Sequence, residues 1–272
     1  MYKIMKAKNI IFWILAIIIT LASAYYQRIT GPTYPKKGTI SLNDIDINYN
    51  LDRSYPGEGD CPIKLNIPSD NIKGTLIWKR HNTKDAEKTV EMRNENGILV
   101  ADLPHQPPSG KLDYQIRLLK DNVEKYIPSK DNYVVIRFRG DVPAYILIPH
   151  ILIMFLAMLF STRAGIEFFS KEPNYKKLLW WTLGTFFIGG FILGPLVQKF
   201  AFGEYWTGVP FGWDLTDNKT LIAFVGWLIA LIGYRKSPKP DYWILGAALL
   251  TLIVFLIPHS VLGSELDYSK VN

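Results

Sequence analysis

The sequence predicts a membrane protein in which an α-helical bundle of four to five transmembrane helices is combined with an all-β extracytoplasmic domain. Hydrophobic residues make up 49% of the 272 residues, yet the mean hydropathy is only +0.08. This average hides an uneven distribution. The apolar residues are concentrated in five runs, whereas most charged residues lie between Arg28 and Asp141. Long apolar runs beside one charged segment are not the pattern of a single soluble domain.

The N-terminus has the pattern of an export signal. Three lysines precede the apolar run Ile10–Leu21, and Ala22–Ser23–Ala24 follows it. A positive segment, an apolar segment and small residues are typical of a cleavable signal peptide. They are equally typical of an uncleaved signal anchor, in which Tyr25 and Tyr26 lie at the membrane interface. We predict that residues 1–29 are a signal anchor (the first transmembrane helix) or a signal peptide.

Residues 30–141 have a β pattern. Seven or eight short runs show period-two alternation, and turn signals such as Pro56–Gly57 and Pro107–Gly110 separate them. A spacing of about 8–12 residues between such runs is typical of a β-sandwich. Alternation places Trp78 and Tyr114 on inward faces of their strands. This segment is therefore predicted to be an extracytoplasmic β-sandwich domain.

One stretch of this segment resembles a known fold family. Ala101–Pro104 followed by Pro108–Tyr114 resembles the E–F corner of fibronectin type III domains, in which the tyrosine hydroxyl bonds back to the corner. Trp78 matches the strand-C tryptophan of such domains. The resemblance covers about 100 residues and implies an Ig-like or fibronectin type III-like sandwich, with a binding or spacing role rather than catalysis.

The remainder of the chain, residues 142–272, is predicted to be a transmembrane domain of four helices. About 20 apolar residues are enough to cross a bilayer. The four predicted helices cover residues of about 142–162, 178–199, 219–234 and 242–261. The third of these is short and needs little tilt or a locally thin bilayer.

The distribution of basic residues predicts the orientation. Ten lysines and arginines flank the apolar runs on one side, and three lie on the other. Because cytoplasmic loops carry the excess of positive charge, the N-terminus is predicted to lie in the cytoplasm. The β-domain and the C-terminus are then periplasmic or extracellular, and the location is a bacterial inner (cytoplasmic) membrane. The ten residues are Lys3, Lys6, Lys8, Arg163, Lys171, Lys176, Lys177, Arg235, Lys236 and Lys239; the three are Lys199, Lys219 and Lys270.

Two histidines lie in the predicted membrane runs. His150 and His259 both fall in the predicted outer leaflet, and each follows a proline. An ionisable side chain within a membrane marks a candidate functional site. One hypothesis is that the two imidazoles bind haem or a divalent metal, and the other is that both are hydrogen-bonded within the bundle. We expect no cofactor under the second hypothesis.

The outer loop between the third and fourth apolar runs is the second candidate region. It is rich in aromatic and carboxylate side chains, and Asp217 or Thr216 suits an N-cap of the next helix. This loop falls on the same predicted side as the two histidines, so the two regions could converge. The candidate ligand or partner residues are Glu204, Tyr205, Trp206, Trp213, Asp214 and Asp217.

Several classes of function find no support in the sequence. The phosphate-binding, serine-hydrolase and zinc-protease motifs are absent. The single cysteine, Cys61, cannot form an intrachain disulfide. Charges of both signs are nearly balanced between Arg28 and Asp141, so the net charge of +7 does not indicate a nucleic-acid partner.

The remaining hypotheses concern binding. Arg28–Pro35 and Val209–Asn218 resemble segments of an uncharacterised bacterial inner-membrane protein family, which implies no activity. We expect a non-enzymatic assembly or interaction protein, held in the lipid bilayer, whose β-domain binds or positions a protein partner. The alternative is a redox, haem-binding or metal-binding membrane protein that uses His150 and His259. A GxxxG pattern at Gly190–Gly194 also allows a homo-oligomer.

The orientation can be tested with reporter fusions. Fusions at positions 170 and 238 should report the cytoplasm, and fusions at positions 212 and 270 should report the outside, because basic loops remain on the cytoplasmic side. An outside signal at position 170 would reverse the topology and would move both histidines to the inner leaflet.

Overall fold

A computed structural model describes residues 2–259, 261, 263 and 265–269, without the side chains of residues 2–6. The predicted outside position 270 and Lys270 lie outside these residues. The chain divides into two compact units. A helical unit consists of Met1–Pro32 and Val142–Ser264, and a β-unit consists of Thr33–Asp141 and Glu265–Asn272.

The helical unit contains long apolar helices on both sides of the β region in sequence. They are α1 (Tyr2–Thr30), α2 (Ala144–Ile166), α3 (Tyr175–Phe186), α4 (Gly194–Phe202), α5 (Leu215–Lys236) and α6 (Pro240–Leu256). A 3₁₀ turn at Glu167–Phe169 follows α2, and a π-helical segment at Phe187–Leu193 joins α3 to α4.

Within the part of the chain that the structure describes, four helical stretches are long and apolar enough to cross a membrane: Ala7–Thr30, Ala144–Phe169, Tyr175–Phe202 and Leu215–Lys236. Helix α6 is apolar but has only 17 residues.

Small residues let the helices approach closely. A Cβ on Gly165 would lie 2.7 Å from Ala248, and a Cβ on Gly233 would lie 2.3 Å from the Trp243 ring. Between α5 and α6, the buried Trp227 indole donates to the Thr251 hydroxyl at 2.9 Å. Close approach of small residues together with interhelical hydrogen bonds is the usual way in which apolar helices associate without a hydrophobic driving force.

A buried ion pair on α2 and the 3₁₀ turn after it also contacts α1 and the start of α3. Arg163 and Glu167 are both buried, and their charged groups lie 2.6 Å apart. The Arg163 guanidinium also donates to the Asn9 side chain of α1 at 2.6 Å and lies over the Trp13 ring at 5.3 Å. The backbone N–H of Asn174, just before α3, donates to Glu167 at 3.4 Å. The pair therefore ties α1 and the start of α3 to α2.

The β-unit contains eleven strands in three sheets. The strands are β1 (Lys36–Leu42), β2 (Ile45–Leu51), β3 (Ser54–Pro56), β4 (Cys61–Asn66), β5 (Lys73–Arg80), β6 (Lys88–Glu91), β7 (Arg93–Asn94), β8 (Ile98–Leu103), β9 (Lys111–Lys120), β10 (Val123–Ile127) and β11 (Val134–Arg139). Strands β1 and β2 form a hairpin, and β4, β8 and β7 form a three-stranded sheet. The largest sheet has the order β3-β11-β9-β5-β6, with β10 also paired to β9.

The core of the β-unit lies against β9. Leu112, Tyr114, Ile116 and Leu118 are fully buried, as the alternation of this strand predicts. The Tyr114 hydroxyl donates to the backbone carbonyl of Asp52 at 2.7 Å. This bond links the core strand to the segment between β2 and β3.

The predicted fold class, a transmembrane helix bundle plus an Ig-like or fibronectin type III-like sandwich, is wrong. The β-unit has three sheets rather than two facing ones, and the largest contains a parallel pair of β3 with β11. Tyr114 bonds to Asp52 rather than to the corner beside it, and Trp78 is only partly buried. The helices do not form a separate C-terminal block either, because α1 belongs to the same unit as α2–α6.

The physical reason for this error is the range of the interactions. Alternation within a run fixes which side chains share a face, but it does not determine which strands pair. The β3–β11 pair joins Ser54 to Arg137. No local turn signal specifies a pairing between segments so distant in sequence.

Candidate functional site

His150 lies on α2 beside the π-helical segment. Its Nδ1 atom is 3.0 Å from the backbone carbonyl of Gly189, and its Cε1 atom is 3.7 Å from the position of a Cβ on Gly194. A carbonyl oxygen only accepts, so Nδ1 is the donor, and in the neutral imidazole Nε2 keeps its lone pair. This is the hydrogen-bonded arrangement of the second hypothesis, and it also orients Nε2 as in many metal-binding histidines.

His259 follows α6, after the chain leaves the helix at Ile257. Its side chain is exposed, and it interacts electrostatically with Lys219, His150 and Asp214. The structure thus brings the two candidate histidines and one candidate carboxylate into the same region of the helical unit. The described residues contain no group of three or more His, Cys, Asp or Glu side chains arranged to hold a metal ion. Haem or metal binding by these histidines stays a prediction.

The centre of this region is a lysine that sequence reasoning treated only as a loop charge. Lys219 is buried on α5, and its Nζ donates to the backbone carbonyls of Ile257 at 2.6 Å and Pro258 at 3.4 Å. Gln27 of α1 donates to the carbonyls of Phe255 at 2.7 Å and Ile257 at 3.2 Å. These carbonyls lack intrahelical partners because α6 ends before Pro258.

A sequence signal for Lys219 did exist. The residue lies about one turn into a long apolar helix, after Asp214 and Asp217, where an amine needs a buried partner. Lys219 is therefore a helix residue rather than a loop charge. The partner that it finds is a helix terminus distant in sequence, which no local pattern identifies.

The loop Gly203–Asp214 is held against the start of α5 by two carboxylates. Asp214 is the N-cap, since its side chain accepts from the N–H groups of Thr216 at 2.8 Å and Asp217 at 3.4 Å. Asp217 instead accepts from the N–H groups of Thr207 at 2.7 Å and Gly208 at 3.0 Å. The expectation that Asp217 or Thr216 is the N-cap is therefore reversed: Asp214 has that role, and Asp217 anchors the loop.

The aromatic residues of this loop divide into two groups. Trp206 stacks on Phe191 with ring centroids 5.6 Å apart, and its indole donates to the Val209 carbonyl at 3.1 Å. Phe211 and Trp213 are 81% and 86% exposed at the loop tip. An ordered loop that exposes large aromatics suits the interfacial layer of a membrane.

The two remaining candidates of the loop, Glu204 and Tyr205, are exposed. Lys199 lies over the Tyr205 ring at 5.2 Å. Asp214 and Asp217 hold the loop backbone, and both Asp214 and His150 also interact electrostatically with His259.

A second candidate site lies entirely within the β-unit. A polar groove of about 530 Å³ is formed by the Arg80–Asp85 segment, the start of β9 and the C-terminal segment Glu265–Ser269, which we call the tail. Arg80 and Asp85 are paired at 2.5 Å, and the His81 Nδ1 donates to Asp113 at 2.6 Å. Sequence reasoning missed this groove because the tail and β9 are about 150 residues apart.

The tail forms one wall of this groove and is held there by acidic and aromatic contacts. Glu265 pairs with Lys111 and accepts from the Asn82 amide at 3.2 Å. The Tyr268 hydroxyl bonds to both the N–H and the carbonyl of Lys111, each at 2.9 Å. The Arg80 guanidinium lies over the Tyr268 ring at 5.1 Å. This part of the β-unit therefore offers an amine to a carboxylate and the backbone groups of Lys111 to a hydroxyl.

Cys61 is the only thiol of the chain and is not an activated nucleophile. Its side chain is buried in the core of the β-unit, and burial raises the pKa of the thiol to about 12. The thiol therefore stays protonated at neutral pH, and the thiolate is the reactive form.

The chain finds no match among protein families or curated proteins. Its function is therefore argued from the two sites described above.

The role of Lys219 can be tested by Lys219→Met. This change removes the charged donor from the end of α6 and should lower the stability by about 2 kcal/mol, or the Tm by roughly 5 °C. The measurement is thermal unfolding of the full chain in detergent. Lys199→Met is the matched control because it removes an exposed lysine of the same helical unit. Equal losses in the two variants would contradict the capping role.

Proposed function

We propose that this chain is a multipass membrane protein whose β-unit binds a protein partner at the outer face of a bacterial cytoplasmic membrane, in a non-enzymatic assembly role. The observation that carries the proposal is the binding of the tail to Lys111 and Arg80 of the β-unit, beside the polar groove that these segments line together. Four helices of sufficient length and apolarity support the membrane location. The excess of basic residues in the loops after α2 and α5 supports the orientation in which these loops are cytoplasmic and the β-unit lies outside.

The tail indicates the chemistry of the partner. It carries the sequence Glu265-Leu-Asp-Tyr-Ser269, and its carboxylate and phenol bind Lys111 while the backbone N–H of Leu266 donates to the Ser109 carbonyl at 3.3 Å. Backbone hydrogen bonds combined with side-chain contacts are a common form of peptide recognition. We therefore assign the partner as an extended acidic segment with a tyrosine three residues after a glutamate, which displaces the tail from Lys111.

The groove can be tested in the full chain in detergent. The variant Glu265→Ala/Tyr268→Ala should release the tail, because it removes both side chains that bind Lys111. A fluorescent peptide of residues 263–269 should then bind this variant and not the parent chain. Adding Lys111→Met should weaken peptide binding roughly 10-fold, since a charge-assisted hydrogen bond is lost. Lys125→Met removes an exposed lysine of the same unit and should change nothing.

A photo-crosslinking residue at Asn82 would extend the test to cells. The proposal expects a cross-linked protein that the same peptide displaces. Failure of the peptide to bind the released-tail variant would overturn the proposed recognition, and a cross-link that the peptide does not affect would do the same.

Docking of the tail should depend on pH. Burial by itself raises the pKa of the Glu265 carboxyl, but the hydrogen bond and charge of Lys111 bring the pKa below its ordinary value of 4.5. A lowered pKa stabilises the docked tail above pH 4.5, and this contribution is lost as the pH falls through the lowered value. The protection factors of residues 265–269 in hydrogen exchange, relative to the intrinsic rate at each pH, should therefore fall on acidification below pH 4.5. Glu265→Gln should show low protection at all pH values, and an equal fall of protection with acid in this variant would refute the role of Glu265.

A further inference from the structure

A second groove runs along the outer surface of α3 in the helical unit. It has a volume of about 520 Å³ and lies on the span Tyr175–Phe202, which is long and apolar enough to cross a membrane. One end is lined by Lys176 and Lys177, and the other by Gly184 and Ile188. At 1.5 Å per residue, the distance from Lys176 to Ile188 is about 18 Å along the helix. The groove shares no residue with the histidine region or with the polar groove of the β-unit.

Cations surround the polar end of the groove. Lys176 and Lys177 are exposed, and the Arg235 guanidinium lies over the Trp180 ring at 5.9 Å. Within the described part of the chain, none of these three cations has an ion pair. Two lysines in the first turn of α3 and an arginine in the last turn of α5 form a site for an anionic headgroup.

The other part of the groove is apolar. Trp180 and Trp181 are 51% and 58% exposed, and both line the groove. A Cβ on Gly184 would have no neighbour within 4 Å, so the groove stays open where this residue lacks a side chain. Ile188 continues the apolar surface into the span. Exposed tryptophans beside lysines are typical of the layer where headgroups meet acyl chains.

We infer that this groove binds an anionic phospholipid. The phosphate and headgroup contact Lys176, Lys177 and Arg235, and one acyl chain lies along Trp181, Gly184 and Ile188. Charge and apolar surface adjoin in one groove, which matches the two chemistries of a lipid. A soluble anion would use only the cationic end, and a zwitterionic lipid carries no net charge for the cations to neutralise. The inference is independent of the proposed partner binding, because the β-unit contributes nothing to the groove.

The test uses the full chain in nanodiscs of phosphatidylcholine. Fluorescent phosphatidylglycerol is titrated in, and its retention on the protein is measured by energy transfer from tryptophan. Lys176→Gln/Lys177→Gln should weaken retention about 25-fold, if each lysine contributes about 5-fold near a membrane surface. The matched control is Lys171→Gln/Lys236→Gln, which removes two exposed charges outside the groove. The control should change retention less than 2-fold.

A second variant tests the acyl-chain part. Gly184→Leu fills the open segment of a helix surface, and leucine is a better helix former than glycine, so the fold should be kept. It should weaken retention of phosphatidylglycerol and leave the effect of the lysine variant in place. Soluble glycerol phosphate should not compete. Equal losses in the lysine variant and its control, or competition by glycerol phosphate at the affinity of the lipid, would overturn the inference.

Discussion

The helical unit depends on partners for the polar groups that its apolar helices bury. Water is absent from the interior of such a unit, so every buried amine, guanidinium and free carbonyl needs a protein partner. Lys219 and Gln27 bond to the carbonyls at the end of α6, and Arg163 pairs with Glu167. The bonds of Lys219 and Gln27 join different helices, and the Arg163 guanidinium also donates to Asn9 of α1, so these polar contacts help to set which helices pack together.

This constraint determines the character of the first candidate site. His150 donates to the Gly189 carbonyl, Asp214 caps α5, and Asp217 holds the loop through two N–H groups. These bonds hold the helices and the loop in place. The aromatic side chains at the tip of the loop, Phe211 and Trp213, remain exposed and suit contact with lipid or a partner.

The two ligand surfaces differ because their environments differ. In the β-unit, a groove with paired charges binds an acidic–aromatic segment through Lys111 and its backbone. On α3, cations without an ion pair in the described residues adjoin an open apolar strip at Gly184. The first surface binds the tail through the side chain and backbone of Lys111 at the start of β9. The second offers a proposed lipid an apolar wall on a helical stretch that is long and apolar enough to cross a membrane.

The sequence by itself determined the helices that are long and apolar enough to cross a membrane and the inward face of β9. Apolar runs long enough to cross a bilayer, and the alternation around Tyr114, depend only on neighbouring residues. Tertiary structure alone decided the pairing of β3 with β11, the docking of the tail on Lys111, the partner of Lys219 and the bond of Arg163 to Asn9. Each of these joins groups far apart in the chain, and the free energy of such contacts depends on what the rest of the fold brings within reach.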